Sequence, residues 1–147
     1  MTEIPEQKYV LIIDDDEEDV FAFKWAMKYS LPEVSIVHID DGAKAVDFLL
    51  NQPPADNLPV LILVDINMPG VDGYDTLIAI RNSVTMRHLP VLMFSTSGSP
   101  AEVRRSYAEG ANAHLVKPTS IAELRELAVS VSDFWLKSVA LPDGSVR

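Results

Sequence analysis

The sequence predicts an α/β protein, a (βα)5 chain wound around a doubly covered, five-stranded parallel sheet. Five short apolar runs recur along it: Val10–Ile13, Val34–Ile39, Val60–Val64, Val91–Phe94 and Ala113–Val116. They are rich in Val, Ile and Leu and mostly uninterrupted rather than alternating, as expected of strands covered on both faces. The segments between them carry helical spacing, and alternation of strand and helix implies right-handed crossovers with helices on both faces. A chain of 147 residues is expected to form one domain over 1–147 with a core of its own.

Taken in order, the first run leads into Val20, Phe23, Met27 and Leu31, spaced i, i+3, i+7 and i+11. The second leads to Asp41-Gly42, read as a turn, and Pro53-Pro54 punctuates the approach to the third. After the third come the Pro69-Gly70 turn and, from Gly73 onward, Leu77, Ile80 and Val84. Gly98 with Pro100 follows the fourth run, and Gly110 precedes the fifth. A last long helix is expected from Thr119 or Ser120, with Glu123 placed as a capping-box partner for Ser120. Its apolar stripe is Ile121, Leu124, Ala128, Val131 and Trp135, while Leu127 and Phe134 lie off that stripe. Apolar residues on more than one face predict a partner surface, so a homodimer is expected, with Leu127, Phe134 and Trp135 at the interface. The alternative is that Phe134 and Leu141 fold back on their own domain.

Composition excludes several classes of function. A formal charge of −10 argues against an electrostatic grip on nucleic acid or on an anionic membrane. With no cysteine there is no disulfide framework, cysteine nucleophile or thiolate metal site. The N-terminal MTEIPEQK is unlike a secretory signal, and no apolar run approaches ~20 residues. A cytoplasmic location is expected.

Open parallel sheets bind ligands at the carboxyl ends of their strands, and the polar residues of this chain gather there. The first run ends in Asp14 and Asp15, the third in Asp65, the fourth in Ser95 and Thr96, and the fifth in Lys117 before Pro118. Asp14 to Asp19 are six consecutive carboxylates, which suit either an acidic first helical turn or a cation site. Convergence of the strand ends favours the cation for Asp14 and Asp15, with Asp16 to Asp19 left as the solvated start of a helix. Clustered carboxylates raise one another's pKa unless a cation neutralises them. Hard oxygen donors point to Mg²⁺ or Mn²⁺ rather than zinc. A carboxylate beside such an ion can attack a phosphoryl group, with Lys117 and Ser95 supplying positive charge and a donor.

The stretches LIIDDD (11–16), LVDINMPGVDG (63–73), PVLMFSTS (90–97) and HLVKP (114–118) together resemble the receiver domains of bacterial two-component response regulators. The resemblance covers about residues 8 to 130, with a helical extension and tail over 131–147. It implies the flavodoxin-like strand order 2-1-3-4-5, Asp65 as the phosphoacceptor for a sensor histidine kinase, and no enzymatic turnover beyond weak autodephosphorylation. It further implies Mg²⁺ held by Asp14, Asp15, Asp65 and the Asn67 backbone carbonyl, with Asp15 a direct ligand and Asp14 acting largely through water. Ser95 becomes the switch hydroxyl, Lys117 contacts the phosphoryl oxygens, and its bond to Pro118 is expected to be cis. Two positions depart from the commonest pattern. Ser95 replaces a more frequent Thr, keeping the hydroxyl but losing a methyl group that restricts the rotamer. His114 stands where many relatives carry a rotating Tyr or Phe, and it is either a switch residue or a surface-facing strand residue. SDFWLKSVALP (132–142) resembles the extension of small stand-alone regulators paired with bacterial phytochrome histidine kinases. The few residues after about 130 are expected to leave no room for a DNA-binding output domain, so signalling would pass to an unknown downstream protein by association.

Three rival readings are weaker. A Mg²⁺-dependent phosphatase of the haloacid dehalogenase type needs a second Asp two residues after the nucleophile, where this chain has Asn67. Asp65, Asn67 and Gly70 fit positions 1, 3 and 6 of an EF-hand loop, but Pro69 and Thr76 occupy positions 5 and 12. A nucleotide-binding flavodoxin-like protein would need a phosphate loop, and neither G-x-G-x-x-G nor a Walker lysine is present.

Overall fold

All five apolar runs form strands in the computed structural model, which describes residues 3–51 and 57–142. The strands are β1 (Tyr9–Ile13), β2 (Ser35–Ile39), β3 (Leu61–Asp65), β4 (Val91–Ser95) and β5 (Ala113–Val116). Every pairing is parallel and the order is β2-β1-β3-β4-β5. The central strands β1, β3 and β4 are buried at every residue, whereas the edge strands β2 and β5 are partly covered. This is why the central runs read as continuous Val, Ile and Leu.

Successive side chains of a strand point to opposite faces, and each face has its own core. Tyr9, Leu11 and Ile13 pack with Phe48 and Leu49 of α2 (Gly42–Asn51) and with Leu77 and Ile80 of α3 (Gly73–Asn82). Val10 and Ile12 pack with Val20, Phe23 and Met27 of α1 (Glu17–Ser30) and with Leu124, Ala128 and Val131 of α5 (Ile121–Val131). Helix α4 (Pro100–Ala108) is seated differently, because its one buried side chain is Ser106. Tyr74 holds it from α3, donating its hydroxyl to the Glu102 carbonyl at 3.0 Å and carrying the Arg105 guanidinium 4.0 Å above its ring.

Several expectations are corrected in detail. Asp41-Gly42 is a helix start rather than a free turn: Asp41 accepts from the Lys44 N–H at 2.9 Å and α2 begins at Gly42. Helix α3 ends at Asn82, so Val84 lies beyond it and is exposed. Ser120 caps α5 by accepting the Glu123 N–H at 3.1 Å. The helix ends at Val131 and continues as a π-helical segment, Ser132–Ser138, whose wider coil turns Leu136 and then Leu141 into the core. Ile121 is exposed at the solvent end of the predicted stripe. The Lys117–Pro118 bond is trans, since no peptide bond among the described residues is cis; trans is the intrinsically favoured form even before proline. Pro53-Pro54 falls outside the described residues.

Two glycines shape the loop after β3. Gly70 has φ 76°, a conformation open to glycine at no steric cost, and it turns the chain after Pro69. Gly73 lies against the end of β3, where an added Cβ would sit 2.5 Å from the Asp65 carbonyl oxygen. That close approach lets α3 begin beside the strand end.

Candidate functional site

Parallel pairing brings the carboxyl ends of β1, β3, β4 and β5 to one edge, and the polar residues predicted there do meet. Asp14 and Asp65 are buried carboxylates, Ser95 is fully buried, and Asp15 is exposed. Lys117 Nζ lies 2.8 Å from Asp14 Oδ2 and 3.6 Å from Asp65 Oδ2. Asp14 Oδ1 also accepts the Asp16 N–H at 2.9 Å, and Asp65 Oδ1 accepts the Asn67 N–H at 3.2 Å. Ser95 Oγ accepts from the Ser97 N–H at 3.0 Å and lies 3.5 Å from Asn67 Nδ2. One oxygen from each of Asp14, Asp15 and Asp65 falls within 4.8 Å of the others.

The electrostatics follow from burial. Asp65 is pushed up to about 7, first by desolvation and then by the neighbouring Asp14 charge, against the opposing pull of Lys117 and the Asn67 N–H. Burial pushes the Lys117 ammonium down, but Asp14, Asp65 and Asp19 outweigh it and hold the group above the ordinary lysine value. The site therefore has more buried negative charge than one lysine balances. Three hard oxygen donors with no His or Cys among them suit Mg²⁺ or Mn²⁺.

The acidic run divides in a way its sequence did not reveal. Asp16 caps α1, accepting from the Glu18 and Asp19 N–H groups at 3.0 and 3.1 Å. Asp19 is not merely solvated: it faces inward and lies 3.1 Å from Lys117 Nζ. Its position one helical turn beyond the cap was the available signal. His38 of β2 is a second residue that sequence reasoning missed; its Nε2–H donates to the Asp14 carbonyl at 2.8 Å and fixes the end of β1.

His114 is neither free nor simply surface-facing. Its Nε2–H donates to the Ser97 carbonyl at 3.1 Å, which leaves Nδ1 to accept from the Ser106 hydroxyl at 2.7 Å in the neutral ring. It thus joins β5 to the loop after β4 and to the buried side chain of α4. Of the three expected interface residues, Leu127 and Trp135 are partly buried against their own core, and only Phe134, 58% exposed, stands out in solvent. Trp135 meets Phe134 edge to face at 5.7 Å, and its indole packs partly against the core, in line with its place on the predicted stripe.

The cavity among Asp14, Asp19, Asp65 and Lys117 measures about 20 Å³, room for roughly one water. A larger one of about 660 Å³ lies at the opposite end of the strands, lined by Tyr9, Val10, Leu31, Val34 and Leu136. The Tyr9 hydroxyl, which donates to the Asn57 carbonyl at 3.1 Å, is pushed up to about 12 by burial. No helix among the described residues is long and apolar enough to cross a membrane.

Comparison with known proteins agrees with this geometry. The sequence profile of the response regulator receiver domain matches residues 10–129. The chain belongs to that family. Response regulator Rcp1 of Synechocystis sp. is 30% identical to this receiver over 137 residues, covering 92% of this chain and 93% of Rcp1. The crystal structure of the phosphorylated cyanobacterial phytochrome response regulator RcpA superposes with a TM-score of 0.85 at 28% identity, covering 92% of this chain and 99% of RcpA. The Mn²⁺-bound form of Rcp1 gives 0.84 at 29% identity with the same coverage. The haloacid dehalogenase alternative finds no support: the profile is that of a receiver, and Asn67 occupies the place of the required acid.

Proposed function

We propose that this receiver accepts a phosphoryl group on Asp65 from a phosphohistidine of a sensor histidine kinase, with a bacterial phytochrome kinase as the partner. The observation that carries this reading is Asp65 itself, a buried strand-end carboxylate flanked by Asp14 and by Lys117 Nζ at 3.6 Å. An Asp65 carboxylate oxygen attacks phosphorus as the P–N bond to the donor histidine breaks, and the imidazole leaves with the bonding electron pair and takes a proton from water. Lys117 is held ready to shift its contacts from carboxylate to phosphoryl oxygen, and the Ser95 hydroxyl, at the end of the neighbouring strand β4, would donate to the same group. Asp14, Asp15 and Asp65, with the Asn67 backbone carbonyl, would hold Mg²⁺ or Mn²⁺, which offsets the negative charge of the phosphoryl group when bound. The Mn²⁺-bound form of the similar Rcp1 supports the binding of a divalent cation, and the proximity of the three carboxylates supports the donor set.

The receiver is a phosphoacceptor rather than a turnover enzyme. No acid stands two residues after Asp65, where Asn67 lies instead. Phosphorylation would be read by association, with a second copy and with a downstream protein, in the cytoplasm and without contact to nucleic acid. The name of RcpA, a phytochrome response regulator, supports the choice of kinase. Intact-mass spectrometry after incubation with acetyl phosphate and Mg²⁺ tests the central step. One acid-labile phosphoryl group is expected on the wild type and none on Asp65→Asn; undiminished labelling of the variant would overturn the assignment.

A further inference from the structure

Three carboxylates surround the ammonium of Lys117, and phosphoryl transfer would treat them differently. Nζ lies 2.8 Å from Asp14 Oδ2, 3.1 Å from Asp19 Oδ2 and 3.6 Å from Asp65 Oδ2. Asp14 and Asp65 each give an oxygen to the cluster that suits a divalent cation, and the third member of that cluster is Asp15, not Asp19. Asp65 is in addition the proposed acceptor, so its carboxylate becomes an acyl phosphate. Asp19 has neither duty. Of these three partners of Lys117, it alone is neither shared with a cation nor consumed.

Local structure explains why this carboxylate faces the site. Asp16 caps α1, and Asp19 is the third residue of the helix. An acid at that place reaches back to the N–H of the cap residue in a capping box, as Asp75 does for Asp72 in α3. At the start of α1 the N–H of the cap instead donates to Asp14 Oδ1 at 2.9 Å, so the Asp19 carboxylate is left to turn inward. The positive end of the helix favours a carboxylate there. Its side chain is 28% exposed against 8% for Lys117, which puts the carboxylate at the rim and the ammonium inside. A lysine carries a compact charge on a flexible four-carbon stem. With Asp14 and Asp65 as its only partners, the ammonium would settle on the carboxylates that a cation and a phosphoryl group also need. We propose that Asp19 is a positioning residue: from the first turn of α1 it holds Lys117 Nζ beside Asp65, in place for the oxygens of an incoming phosphoryl group. The inference rests on Asp65 as the acceptor and adds to the site a residue that lies outside the strand ends.

Labelling kinetics of the full chain with acetyl phosphate at saturating Mg²⁺, read beside nuclear magnetic resonance of the metal-free protein, test it. Asp19→Asn keeps the shape and removes the charge. It is expected to slow labelling of Asp65 about tenfold, within the range for a displaced catalytic group. In the wild type the Lys117 ammonium should give a resolved proton–nitrogen signal, because its carboxylates hold it, and in Asp19→Asn that signal should be lost to exchange with water. Asp19→Glu, which keeps the charge, should restore most of the rate and the signal. Asp16→Ala is the control for a merely structural role. It uncaps the same helical turn and should keep both the signal and the rate. An unchanged rate in Asp19→Asn, an ammonium signal that survives that substitution, or one already absent from the wild type would overturn the proposal. So would an Asp19→Glu variant as impaired as Asp19→Asn, or an equal loss in Asp16→Ala. The two readings fail separately: equal labelling of Asp65 in every variant refutes the role of Asp19 alone, whereas an unlabelled wild type whose ammonium signal depends on Asp19 refutes Asp65 as the acceptor and leaves the anchoring of Lys117 standing.

Discussion

Asp65→Asn should stabilise the metal-free protein at neutral pH while destroying its ability to accept phosphate. In the folded state the Asp65 carboxyl titrates at about 7, against an ordinary value of 3.8. Between those values the folded state binds a proton that the unfolded chain has released, so stability falls as pH rises through the window. From about pH 5.5 to about pH 8 the loss approaches 1.5 units of ~1.36 kcal/mol, or about 2 kcal/mol. For a chain of this size that corresponds to a Tm decrease of about 4–8 °C. Asparagine keeps the shape and cannot ionise. The variant's advantage should therefore grow by about 2 kcal/mol between about pH 5.5 and about pH 8. The chain has 22 acidic residues, and their general repulsion is common to both proteins, so the difference between them isolates Asp65. Urea denaturation in a chelator across this range is the assay, and Mg²⁺ should close most of the gap at the upper pH by binding the folded wild type. Parallel stability curves for the two proteins would show that Asp65 is not held protonated by its surroundings, and the account of the site's charge would fail.

Other outcomes are expected from the neighbouring residues. Asp15→Ala should weaken divalent-cation binding about tenfold or more with little effect on stability, whereas Asp16→Ala should cost about 1 kcal/mol by uncapping α1 and leave the affinity nearly intact; calorimetric Mg²⁺ titration and thermal melts check both. Ser95→Ala should leave Asp65 able to accept phosphate but uncouple the loop after β4, seen as loss of the amide shifts over residues 97–117 on binding a phosphoryl mimic. His114→Phe should cost about 1–3 kcal/mol by leaving the buried Ser106 hydroxyl unpaired and should speed amide exchange in α4; unchanged exchange would mean the histidine does not seat that helix. Leu77→Ala, at the centre of the α2/α3 layer, should cost about 2–5 kcal/mol in urea denaturation.

Much of the fold was legible because burial on both faces writes itself into a parallel strand as an unbroken apolar run. The same logic located the site: Asp14, Asp65, Ser95 and Lys117 are each the first polar residue after such a run, and parallel pairing must bring those ends together. What the sequence by itself could not decide was which residues meet across elements. Asp19 looked like any other carboxylate of an acidic helical start until α1 turned it toward Lys117. Arg81 shows the same limit. It donates to the carbonyls of Arg87, Leu89 and Gly110 and to Asn112, tying together the approaches to β4 and β5, with burial pushing its guanidinium pKa down. No local pattern marks it, because its partners are mostly backbone atoms, and Gly110 and Asn112 lie far along the chain. The end of the last helix was likewise settled by packing, since the wider π-helical coil that buries Leu136 and leaves Phe134 outside has no periodicity of its own to read. Local periodicity and strand-end chemistry are properties of the chain; the pairing of a charge with its partner, and the face a helix shows to solvent, depend on how the sheet brings the elements together.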